Sequence, residues 1–68
     1  MPEYWYIWFE IFDDGKKVGE GRYPRSYRRR RNAERRAIQM WGREIYSPVG
    51  NTTLKRKWTV SETCPWEK

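Results

Sequence analysis

Arg28, Arg29, Arg31, Arg35 and Arg36 crowd one short stretch, flanked by Arg25 on one side and Arg43 on the other. A guanidinium is a planar fork of donors that stays charged at any physiological pH, so its natural ligands are phosphates and carboxylates taken two oxygens at a time. Between Arg22 and Arg43 nine bases meet a single acid, Glu34, which gives that window +8 out of a chain total of +6. The remainder carries six bases and eight acids, so the positive charge is a local block. An ordinary solvated helix face alternates signs. This one does not, and like charges gathered without counter-charges lower stability until an anionic partner arrives.

A second group of residues has a different chemistry. In the run Tyr4-Trp-Tyr-Ile-Trp-Phe9, alternate positions fall on opposite faces of an extended chain, which separates Trp5, Ile7, Phe9 and Ile11 from Tyr4, Tyr6, Trp8, Glu10 and Phe12. The first row is a core face. The second, Tyr4, Tyr6 and Trp8, is aromatic where a solvated sheet face is normally polar. Beside Lys55 and Lys57 it has the physical character of a base-stacking surface; the competing readings are coverage by Trp66 or by a second subunit, making a homodimer.

Catalysis has little to use. The chain has no His and a single Cys, Cys64, which excludes Ser-His and Cys-His pairs and any zinc site of the Cys/His kind. No glycine-rich phosphate loop is present, and Asp13 and Asp14 stand before Gly15 as turn residues. No catalytic residue, metal or cofactor is expected.

These side chains must be positioned by a domain of 68 residues, a length that buries only about 60% of its unfolded surface. Without a disulfide, the core has to come from aromatics, which are 18% of the chain. The apolar N-terminal run is too short to span a bilayer and has no basic flank of the signal-peptide kind; no membrane association is expected, and the cytoplasm is the expected compartment. Asn51-Thr52-Thr53 fits a glycosylation sequon by chance.

Residues 4–12 predict a strand ending in a hairpin at Asp13-Asp14-Gly15, with a second strand over 17–23. Two registers compete. A two-residue turn sets Ile11 against Val18 and leaves Phe9 and Ile7 against Glu20 and Arg22. A three-residue loop sets Phe9 against Gly19, Ile7 against Gly21 and Trp5 against Tyr23, and it is preferred because it keeps charge off the apolar face. Pro24 is expected to end this strand. A helix follows, capped by Ser26 and starting at Tyr27, or capped by Asn32 and starting at Ala33, and stopped by Gly42. The earlier start puts Tyr27, Ala33, Ala37, Ile38, Met40 and Trp41 on an inner arc, interrupted by Arg30 and Glu34, and most of the arginines outside. Residues 43–46 predict a short strand and 54–61 a longer one, with Leu54, Arg56, Trp58 and Val60 on one face and Lys55, Lys57 and Thr59 on the other.

The expected fold is therefore α+β: a two-layer sandwich in the order β-β-α-β-β, with the Arg-rich helix on one face of an antiparallel sheet, residues 1–61 forming the domain and 62–68 a polar tail. The charge pattern implies a non-enzymatic basic binding domain. Nucleic acid, DNA or RNA, is the leading partner, contacted at phosphates by Arg25, Arg28, Arg29, Arg31, Arg35, Arg36 and Arg43, with Lys55 and Lys57. The alternative is an adaptor or inhibitor docking the same arginines on an acidic protein surface.

Overall fold

The computed structural model describes residues 4–66. Its elements are β1 (Trp5–Asp13), β2 (Lys16–Tyr27), α1 (Arg30–Trp41), β3 (Ser47–Pro48) and β4 (Leu54–Ser61). The strands form one antiparallel sheet in the order β2-β1-β4-β3, and the helix packs on one face of it. The α+β sandwich with β-β-α-β-β order is the architecture expected from the sequence.

The hairpin departs from both expected registers. Asp13 pairs directly with Lys16, and the two turn residues, Asp14 at φ 49° and Gly15 at φ 82°, are both left-handed, as a two-residue turn matched to strand twist requires. Taken alone, that turn would bring Glu20 and Arg22 onto the apolar face. The ladder instead shifts between Ile11 and Phe12: Ile11 pairs with Gly19 while Phe12 pairs with Lys17, leaving Val18 as an extra residue, 58% exposed. The bulge restores the parity that keeps the charges off the core. Phe9 consequently meets Gly21, not Gly19, and Trp5 meets Tyr27, not Tyr23.

The Phe9 ring lies across Gly21 so closely that a Cβ there would stand 2.5 Å from its tip, whereas a Cβ on Gly19 would meet Ile11 at an ordinary 3.8 Å. Gly21→Ala is therefore expected to destabilise the domain by roughly 1–3 kcal/mol, the usual cost of overpacking. Gly19→Ala should be neutral or mildly stabilising. Urea midpoints of the two variants check this, and equal midpoints would contradict the ring-over-glycine packing.

Pro24 does not end β2. The register moves by two residues between Tyr6–Ser26 and Trp8–Arg22, so Tyr23, Pro24 and Arg25 together oppose Ile7, and on an edge strand proline's missing N–H breaks no obligatory ladder bond. The strand then runs on to Tyr27. For that reason the helix begins at neither Tyr27 nor Ala33 but at Arg30, with Arg29 in the N-cap position and without a side-chain cap. Ser26 pairs with Tyr6 in the ladder in place of capping the helix, and Tyr27 packs its ring against the core from the end of the strand. Gly42, at φ 86°, closes the far end with its N–H donating to the Ile38 carbonyl at 2.8 Å.

Ile7, Ala33, Ala37 and Val60 are buried, with Trp5, Tyr23, Tyr27, Met40, Trp41 and Trp58 packed around them. Two alanines at the contact let the helix approach the sheet closely, and the rings close its margins. Trp41 meets Phe9 and Tyr23 edge to face at 5.8 and 6.4 Å, and Trp58 Nε1 donates to the Gly42 carbonyl at 3.1 Å. Residues 43–46 are bends, not the expected strand; the edge strand is Ser47–Pro48, where Ser47 is buried and its hydroxyl donates to the Arg56 carbonyl at 3.4 Å. β4 alternates as the sequence predicts. Arg56 on its inner face stacks on Trp41 at 4.6 Å, and burial lowers the pKa of its guanidinium.

Candidate nucleic-acid interface

Because Ala33 and Ala37 point to the sheet, the helical period sends Arg31, Arg35 and Gln39, each one turn from the next, along the opposite side. All three are exposed. Arg43, just past the Gly42 stop, comes beside them. Arg31, Glu34, Arg35, Ile38, Gln39 and Arg43 line a shallow groove of about 360 Å³, with three guanidinium-bearing residues around one apolar side chain.

The remaining arginines divide by position. Arg28 and Arg29 are exposed in the link between β2 and the helix, and Arg25 is exposed in the irregular part of β2. Arg30 turns toward the sheet: it pairs with Glu34 at 3.2 Å and lies 5.7 Å from the Trp5 ring, so the two residues expected to interrupt the inner arc neutralise each other there. Arg36 leans toward β2. Its pKa is raised, chiefly by the neighbouring Tyr23 side chain.

The first helical turn contains no acid, while Arg30 and Arg31 occupy its positive end. A cation in that position opposes the helix dipole by about 0.3–1 kcal/mol. An anion drawn to the outer face would relieve both this and the repulsion among the arginines.

Lys55 and Lys57 are not part of this surface. They face Phe12 and Glu10 across the β1–β4 pair, on the side of the sheet away from the helix. Lys55 borders a second cleft of about 520 Å³ at the hairpin end, with Phe12, Asp13, Asp14, Gly15, Tyr46 and Thr53. The Thr53 hydroxyl donates to Asp13 Oδ1 there at 3.2 Å, and Phe12 meets Tyr46 edge to face at 5.5 Å.

The aromatic row lies on that same rear face, and the chain itself covers part of it. Trp66 comes back to stand edge-on to Trp8 at 5.6 Å, Trp8 Nε1 donates to the Ser61 carbonyl at 3.0 Å, and Tyr6 meets Trp8 at 6.1 Å. Arg22 sits 4.4 Å from the Tyr6 ring and 5.6 Å from Trp8. Lys17 sits 4.4 Å from Trp66 and bridges Glu10 at 3.3 Å and Glu20 at 2.9 Å. Its pKa is raised, first by the hydrogen bond to Glu20, against an opposing desolvation. The sequence points to Tyr4, Tyr6 and Trp8 but not to Arg22 or Lys17 as their cationic neighbours, since Arg22 reaches this face only through the bulge and Lys17 meets the row through Trp66 of the tail.

Among the described residues no group of His, Cys, Asp and Glu could hold a metal ion, and no helix is long and apolar enough to cross a membrane. Comparison with protein-family models, curated proteins and solved structures finds no match to this chain.

Proposed function

We propose that this protein is a small, non-enzymatic nucleic-acid-binding domain that holds the phosphate backbone with the outer face of α1 and its flanks. The observation that carries the reading is the exposed ridge of Arg31 and Arg35, continued by Arg43 at one end and by Arg28 and Arg29 at the other. Hydrogen bonding to phosphate from such a face is bidentate and charge-assisted. It does not read bases, so binding is expected to be largely independent of sequence.

Fluorescence anisotropy with short labelled DNA and RNA across a salt series tests this. With five to seven phosphates neutralised, the logarithm of affinity should fall linearly with the logarithm of salt, at a slope of roughly −4 to −6. No binding at low salt would remove the reading and favour the same arginines docking on an acidic protein surface.

The chain has no His, and arginine stays protonated throughout the physiological range. Affinity measured at constant ionic strength should therefore be flat between about pH 6 and 8. A drop of tenfold across that interval would mean that a titrating group, and not the arginine ridge, controls binding.

A further inference from the structure

Resting on that nucleic-acid reading, we infer that the ligand is a duplex, gripped through its backbone with Arg31, Arg35 and Arg43 as the central phosphate contacts and with no base stacked on the aromatic row. Two placements lead there. The arginine ridge is on the outer side of α1, whereas Tyr4, Tyr6 and Trp8 are on the rear of the sheet, with the helix, the core and the sheet itself between them. A strand whose phosphates lie on Arg31 and Arg35 cannot bring its own bases to Tyr6 or Trp8. The aromatic row is also engaged from within, by Trp66 and Arg22, and the Trp8 indole N–H is already bonded to Ser61.

Single-strand binders gain roughly 1–3 kcal/mol per stacked base, and that gain requires rings within the cationic track. Around the groove of Arg31, Glu34, Arg35, Ile38, Gln39 and Arg43 there are none. Only charge remains. By charge alone a duplex is the better ligand, presenting one phosphate per ~1.7 Å of axis against one per ~3.4 Å for a single strand. A duplex also keeps its bases stacked on one another, so nothing is lost by leaving the rings out of contact.

The test uses the full chain with one labelled oligonucleotide, alone and annealed to its complement, in DNA and RNA forms. The duplex is expected to bind at least tenfold tighter at low salt, with a steeper salt slope, about −0.9 against −0.7 per phosphate contacted. Arg31→Ala, Arg35→Ala and Arg43→Ala should each make the duplex slope shallower by about one. Tyr6→Ser should leave duplex and single-strand affinity alike unchanged. Single strands binding as tightly as the duplex, or weakened by Tyr6→Ser, would overturn the inference while leaving nucleic-acid binding in place. Failure of all four ligands to bind would overturn both. The DNA and RNA arms distinguish B-form from A-form backbones as the preferred source of the phosphates.

Discussion

Ile7→Ala is expected to unfold the domain at ambient temperature. Ile7 is the one large side chain fully removed from water among the described residues, at 0% exposure, and it stands at the centre of the sheet beneath Ala33 and Ala37. Truncating a buried isoleucine costs about 2–5 kcal/mol, part of it lost transfer energy and part the cavity left behind. Relaxation is limited here. On one flank Ile7 opposes the irregular stretch of β2 and on the other Val60, and the helix residues facing it are alanines with no side chain to swing into the gap. A core of this size supplies no more than about 3–5 kcal/mol of net stability. Circular dichroism and a urea titration would show lost or greatly weakened cooperativity; a midpoint within error of the wild type would mean that the core lies elsewhere. Ile7→Val, which removes one methylene, should cost only about 0.5–1.5 kcal/mol and retain the transition.

Charge reversal at Arg31 and Arg35 should have the opposite profile, with binding lost and the fold kept. Both side chains are exposed on the outer ridge. Replacing both by Glu removes two phosphate contacts and sets two carboxylates where phosphates would lie, so affinity at about 50 mM salt should fall by roughly a hundredfold or more. Stability should change by less than about 1 kcal/mol. A carboxylate at position 31, the second residue of the helix, suits the positive end of the dipole better than the guanidinium it replaces. Anisotropy paired with thermal unfolding reads both quantities. If the variant unfolds early, these arginines hold the fold together; if it binds as the wild type does, the ridge is not the interface. Arg36 is a poorer choice for this experiment, because it lies beside Tyr23, a residue packed against the core, so its reversal tests the ridge less cleanly.

How the arginines divide into groups is a matter of three-dimensional placement. As a charge block they are uniform, but the fold assigns Arg30 to Glu34 and Trp5, Arg36 to Tyr23, Arg22 to the rear aromatic face, and Arg56 to the inside against Trp41. Of the others, Arg28, Arg29, Arg31, Arg35 and Arg43 are the set that the proposed function uses, and Arg25 is exposed in the irregular part of β2. Lys55 and Lys57, grouped with the arginines on charge alone, are separated from them because β4 lies next to β1 and its alternation sends both lysines to the rear.

By itself the sequence determined the class of the fold, the helix stop at Gly42, the split of β1 and β4 into inner and outer rows, and the concentration of charge between Arg22 and Arg43. These depend on period-two and period-3.6 patterns and on one glycine, all local properties. Only the tertiary structure decided the hairpin register, the passage of β2 through Pro24 and the start of the helix at Arg30. In each case the pairing and packing of distant residues acted beside or against a local preference. The two-residue turn at Asp14-Gly15 was kept, and a bulge at Val18 made it compatible with a face free of charge; Ser26 pairs with Tyr6 in the ladder in place of capping the helix, and Tyr27 packs its ring against the core.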